Sequence, residues 1–128
     1  MITTMVIDEA PLLRAALQHA IEAHPQFAVV AQGTIDVSAL ASVRQHKPVI
    51  VVMHLDAGLS QSLQLVDRLR KSHPDISVLG VMGQVDHPIL RRLLEVGVRG
   101  LLSKKASEDQ LHSMLIQLAR GERVISPD

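Results

Sequence analysis

Several polar groups in this 128-residue chain stand where short apolar runs stop. TMVI (4–7) runs into Asp8 and Glu9. VIVVM (49–53) runs into His54, with Asp56 two places on. ISVLGVM (76–82) ends on Met82 and Gly83, and RGLLS (99–103) leads to Lys104 and Lys105. Paired carboxylates suit a divalent cation, which wants hard oxygen ligands, and a lysine suits phosphoryl oxygens. An imidazole adds a nucleophile. The chain has no cysteine, so thiolate chemistry and disulfides are excluded. No serine accompanies His54, and no two histidines have metalloprotease spacing. An enzyme is therefore disfavoured, with a metal-dependent phosphohydrolase as the weaker alternative.

Five elements must bring these groups together. The apolar runs TMVI, FAVVA (27–31), VIVVM, ISVLGVM and RGLLS read as strands. Helical spacing separates them over Pro11–His24, Val37–His46, Leu59–His73, His87–Val96 and Ser107–Arg120. Ser107 with Gln110 forms a capping-box pattern, and Gly121 suits the end of the last helix. Strands alternating with helices predict an α/β fold, a (βα)5 doubly wound parallel sheet covered on both faces. The loops after the strand ends form the functional edge of such a sheet. That places Asp8, Glu9, His54, Asp56 and Lys104 at one edge.

Bulk properties narrow the partners. Lys plus Arg equals Asp plus Glu, 13 each, so nothing draws the chain to nucleic acid or to an anionic membrane. Zero net charge also gives little protection against self-association, which favours a dimer or a protein partner. Phe27 is the only Phe, Tyr or Trp, which argues against a stacking surface for single strands. The start, MITTMVIDEA, lacks a basic region before its apolar run and does not read as a signal peptide. A cytoplasmic protein is the expectation. His19, His24, His46, His73, His87 and His112 are scattered and read as surface residues.

The chain resembles, along essentially its whole length, the receiver domain of two-component response regulators, in particular receivers that precede a LuxR-type helix-turn-helix. MVIDEAPLLRAAL, HPDISVLGVM and above all LLEVGVRGLLSKKASEDQLHSMLIQLARGERVISPD carry the likeness. The resemblance implies a flavodoxin-like, CheY-like five-stranded sheet of order 2-1-3-4-5. It implies a receiver over 1–120, with 121–128 beginning a linker to a DNA-binding output domain outside this sequence. In ordinary receivers an aspartate ending the third strand takes a phosphoryl group, and that aspartate and an acidic pair hold magnesium. By position, Asp8 and Glu9 are the acidic pair, Lys104 is the phosphate-pairing lysine, and His54 falls on the phosphoacceptor. Met82 falls on the Ser/Thr switch position and Leu101 on the aromatic one. Ala57-Gly58-Leu59 replaces the usual Met-Pro-Gly.

An imidazole cannot form an acyl phosphate, Met82 has no hydroxyl, and Leu101 has no polar tip to reorient. The resemblance with these departures implies a phosphorylation-independent module that controls its output through dimerisation, a protein partner or a small ligand. A stand-alone adaptor is the alternative. No cofactor is expected, and magnesium binding is expected to be weak or absent. Asp8, Glu9 and Asp56 are the remaining possibility for a metal. His54 and Lys104 are expected to supply positive charge in its place, His54 being held partly protonated by Asp8 or Glu9, with a neutral His54 satisfied by one hydrogen bond as the alternative.

Overall fold

A computed structural model of the chain describes residues 1–56 and 58–125. Ala57 of the Ala57-Gly58-Leu59 segment and the Ser-Pro-Asp ending at 126–128 lie outside the described residues. The strands are β1 (Ile2–Ile7), β2 (Phe27–Gly33), β3 (Ile50–His54), β4 (Ser77–Met82), β5 (Gly100–Ser103) and β6 (Val124–Ile125). The helices are α1 (Pro11–Glu22), α2 (Ser38–His46), α3 (Leu59–Ser72), α4 (His87–Val96) and α5 (Glu108–Ala119). All strand pairs are parallel, in the order β2-β1-β3-β4-β5-β6. The expected order 2-1-3-4-5 is present. The short β6 is an addition: it pairs Val124 with Gly100 and Ile125 with Leu101, beyond the boundary expected at residue 120.

Local chemistry fixes the helix ends. Ser107 accepts from the Gln110 backbone N–H at 3.1 Å, and the Gln110 side chain accepts from the Ser107 N–H at 2.8 Å. That reciprocal cap satisfies two otherwise orphaned donors and stabilises the start of α5 by about 1 kcal/mol. Asp86 caps α4 one way only, accepting from the Ile89 N–H at 2.8 Å. Gly97 then ends α4 with φ 107°, a left-handed conformation, and a Cβ there would stand 2.8 Å from the Arg70 guanidinium.

The period of two along each strand sorts the side chains between two cores. Met5, Ile7, Val51, Met53, Val78 and Leu101 join α2, α3 and α4 on one face. Val6, Val52, Leu79, Val81 and Leu102 join Ile21 of α1 and Leu111, Met114, Leu115 and Leu118 of α5 on the other. Burying one such leucine contributes roughly 1.5–3 kcal/mol. Continued past the strand ends, the same alternation sets Asp8 and His54 toward the α1/α5 side. Met82 and Leu101 belong to the α2–α4 side.

Two of the six histidines read as surface residues are half-buried in an α1/α5 joint. His112 of α5 bonds the Ala20 carbonyl of α1 at 2.7 Å, and its ring stands edge-on to His24, which in turn packs on Phe27. His112 meets Ala20 and His24 across 92 and 88 positions, separations that no local pattern marks, while the His24–Phe27 contact spans three.

Candidate functional site

Asp8 follows β1 and is almost wholly buried, at 1 % exposure. Its Oδ1 accepts from the Ala10 N–H at 3.0 Å, which sets the turn into α1. Arg14, one turn into that helix, donates from Nη1 to the Asp8 carbonyl at 2.6 Å. Arg14 was not singled out from the sequence; its six-residue spacing from Asp8, across a Pro-started helix, is the signal that points to it.

His54 ends β3 and is buried at 8 % exposure. Its Nδ1 lies 3.2 Å from Asp8 Oδ2 and its Nε2 lies 3.4 Å from Asp56 Oδ2. Neither ring nitrogen is aligned for a hydrogen bond, and Asp8 Oδ2 likewise has no hydrogen-bond partner. The contacts are therefore off-axis electrostatic ones. Each ring nitrogen thus faces a carboxylate oxygen, Asp8 on one side and Asp56 on the other.

Glu9 departs from the expected cluster. It is exposed, and its Oε1 accepts from the Ile35 N–H at 2.9 Å, tying the end of β1 to the segment after β2. The carboxylate on the far side of His54 is Asp56, not Glu9. Asp56 also takes Lys104, with Nζ 2.9 Å from Oδ2, and both its oxygens stand 3.2 Å from the Gly83 N–H. The sequence placed Gly83 at this edge without a role; its backbone N–H turns out to be a working donor.

These positions do not fit a magnesium ion. Asp8 faces an imidazole, Glu9 caps a backbone N–H, and Asp56 is engaged by a lysine. Among the described residues, no three His, Asp or Glu side chains are gathered so as to hold a metal ion. Met82 and Leu101 are buried in the α2–α4 core, and Leu101 lies opposite Gly80 in the β4–β5 register. A cavity of about 210 Å³ adjoins the charged groups on the α1 side, lined by Asp8, His54 and Lys104 and by the apolar Leu13, Ala16, Leu17 and Val81.

Burial pushes the Asp56 carboxyl up, but the Lys104 and Gly83 hydrogen bonds and the Lys104 and His54 charges outweigh it and hold it below the ordinary carboxylate value. A lowered folded value means that the contribution to stability is complete above the unfolded value, near pH 4, and is lost as pH falls through the folded one. Asp56→Asn should therefore flatten the stability-versus-pH curve below about pH 4. Urea denaturation across that range checks it; an unchanged acid limb would show that Asp56 is not the group titrating.

A family model for the response regulator receiver domain matches residues 4–116. The response regulator GacA of Pseudomonas protegens is 30% identical over 127 residues, which is 99% of this chain and 60% of that protein. The transcriptional regulatory protein DegU of Brevibacillus brevis is 25% identical over 126 residues, 98% of this chain and 53% of that protein. Among solved structures, a LuxR family two-component response regulator from Aurantimonas sp. SI85-9A1 superimposes with a TM-score of 0.90 at 25% identity, covering 98% of this chain and 90% of its own. The chain thus spans about 60% of the length of the first curated relatives it matches.

Proposed function

Because the chain belongs to the response regulator receiver family, we propose that it is a receiver that works without phosphorylation, as the regulatory and dimerisation module of a LuxR-type transcription regulator. The observation that carries this reading is the state of the third strand's end. In place of an accessible carboxylate there is a buried imidazole, wedged between Asp8 and Asp56. Lys104 is committed to Asp56. Glu9 is turned away to Ile35. A buried imidazole flanked by two carboxylates is shielded from an anionic phosphoryl donor, and no acyl phosphate can form on it.

The module is non-enzymatic and cytoplasmic in this reading, and it contacts DNA only through a domain outside these 128 residues. Among the described residues, no helix is long and apolar enough to cross a membrane. A homodimer is in keeping with the zero net charge. Related proteins assemble this way, as in the solved structure of two RcsB dimers bound to two parallel DNAs.

Incubation with acetyl phosphate and Mg²⁺, followed by intact mass measurement, tests the central point. The expected result is an unchanged mass. A stoichiometric gain of one phosphoryl group would overturn the reading.

A further inference from the structure

We infer that the Asp56 carboxylate is a built-in anion, seated where the Gly83 N–H and the Lys104 ammonium would otherwise receive an anionic group from outside, and that it permanently ties three loops together. The inference rests on the phosphorylation-independent reading above and says how such a receiver is held in one state.

Asp56 lies just past β3, Gly83 just past β4 and Lys104 just past β5. The three segments have no covalent reason to stay together at their tips. Backbone bonds from the Leu55 N–H to the Val81 carbonyl and from the Lys104 N–H to the Met82 carbonyl reach the strand ends, and one carboxylate ties the tips beyond them: both oxygens stand 3.2 Å from the Gly83 N–H, and Oδ2 lies 2.9 Å from Lys104 Nζ. A backbone N–H and an ammonium converging on one point form an anion seat, because both are donors and one carries full charge. The side chain of Asp56 is 31% exposed, so the seat opens to solvent and a soluble anion could reach it. Inside the seat the carboxylate is held as the ionised form, in line with its lowered protonation range.

Other groups border the seat. His54 Nε2 lies 3.4 Å from Asp56 Oδ2 on the inner side. A Cβ at Gly83 would stand 3.7 Å from Asp56 Oδ2 and 3.8 Å from Lys104 Cδ, in ordinary van der Waals contact, so the seat depends on the backbone N–H of residue 83 and not on the missing side chain. Met82 supplies no hydroxyl that could compete for the anion. An external anion is excluded because an internal one, tethered at high effective concentration, is already there.

Removing the tethered anion should open the seat to a free one. Asp56→Ala protein is titrated with sodium acetate and, separately, with inorganic phosphate, against sodium chloride at matched ionic strength. The Gly83 amide is followed by two-dimensional ¹H–¹⁵N NMR. The expected result is a saturable shift of the Gly83 amide in Asp56→Ala that chloride does not reproduce, and no such shift in the unmodified protein. In the absence of added anion, amide exchange in the 83–86 and 104–106 segments should quicken by about tenfold in the variant, the size of one lost charge-assisted hydrogen bond.

Lys104→Met, which removes the other end of the tie, should quicken exchange in the 104–106 segment while the Asp56 side chain remains. Adding it to Asp56→Ala should abolish the acetate response. The inference is overturned if Asp56→Ala shows no saturable shift, if the unmodified protein shifts equally, or if both single variants exchange at the unmodified rate. Should Asp56→Ala prove too unstable to titrate, Lys104→Met alone decides through its exchange rates. A phosphoryl gain in the unmodified protein would sink the underlying reading, whereas a silent Gly83 amide with no phosphoryl gain would sink this inference alone.

Discussion

Replacing His54 with leucine is expected to destabilise the fold by about 3 kcal/mol, the scale for leaving a buried carboxylate without its polar partner. The ring and the Asp8 carboxylate are both buried, and among the described residues His54 is the side chain within ion-pairing distance of Asp8. Leucine fills similar space but leaves the carboxylate facing an apolar surface with no compensating charge. The pair as a whole contributes less than this figure, because both groups lose water on folding. The double variant His54→Leu/Asp8→Asn should therefore recover most of the loss. Urea denaturation of the two single variants and the double gives the coupling directly. A loss below about 1 kcal/mol for His54→Leu, in the range of an exposed pair, would mean that Asp8 does not depend on the imidazole.

Gly80→Ala should produce the second large effect. A Cβ at Gly80 would stand 2.5 Å from Leu55 Cδ1 and 3.4 Å from Leu101 Cδ1. Leu55 is fully buried and Leu101 is 6 % exposed, so neither can swing into solvent. Overpacking of this kind costs about 1–3 kcal/mol. Leu55→Ala alone creates a cavity and costs roughly 2–5 kcal/mol. Combined, each change relieves the other, so the double variant should lie well short of the sum. Thermal or urea unfolding of the four proteins tests this, and strict additivity would show that Gly80 and Leu55 do not compete for one space. The contact also bears on regulation. Leu101 stands where the family resemblance places a rotating aromatic side chain, and here it is packed against bare backbone at Gly80.

Sequence alone came within two residues of most element ends because the end signals are local. Pro11, the Asp86–Pro88 start of α4 and the Ser107/Gln110 cap are all readable within one turn. The placement of Asp8, His54 and Lys104 at one edge was also legible, since a parallel sheet delivers its strand ends together. Three features were not. Glu9 sits beside Asp8 in sequence, but neighbouring side chains leave a strand in opposite directions, and Glu9 meets Ile35, 26 residues away. The reach of Asp56 to Gly83 and Lys104 is a long-range closure with no sequence period. The two-residue β6 has too few residues to show any alternation, and its partner is Gly100.

That short strand has a further consequence when taken with Glu22. A sheet's outermost strands present unpaired backbone donors and acceptors, a template onto which another chain can add. On the β5 side, Val124–Ile125 occupies that template, and the Val124 N–H bonds the Arg99 carbonyl at 2.7 Å. On the β2 side, a carboxylate oxygen of Glu22 takes the Val29 N–H at 3.1 Å and places negative charge along the strand. A chain with zero net charge has no long-range repulsion to keep its copies apart. Among the described residues, what meets those two edges is small: a two-residue strand on one side and a single side chain on the other.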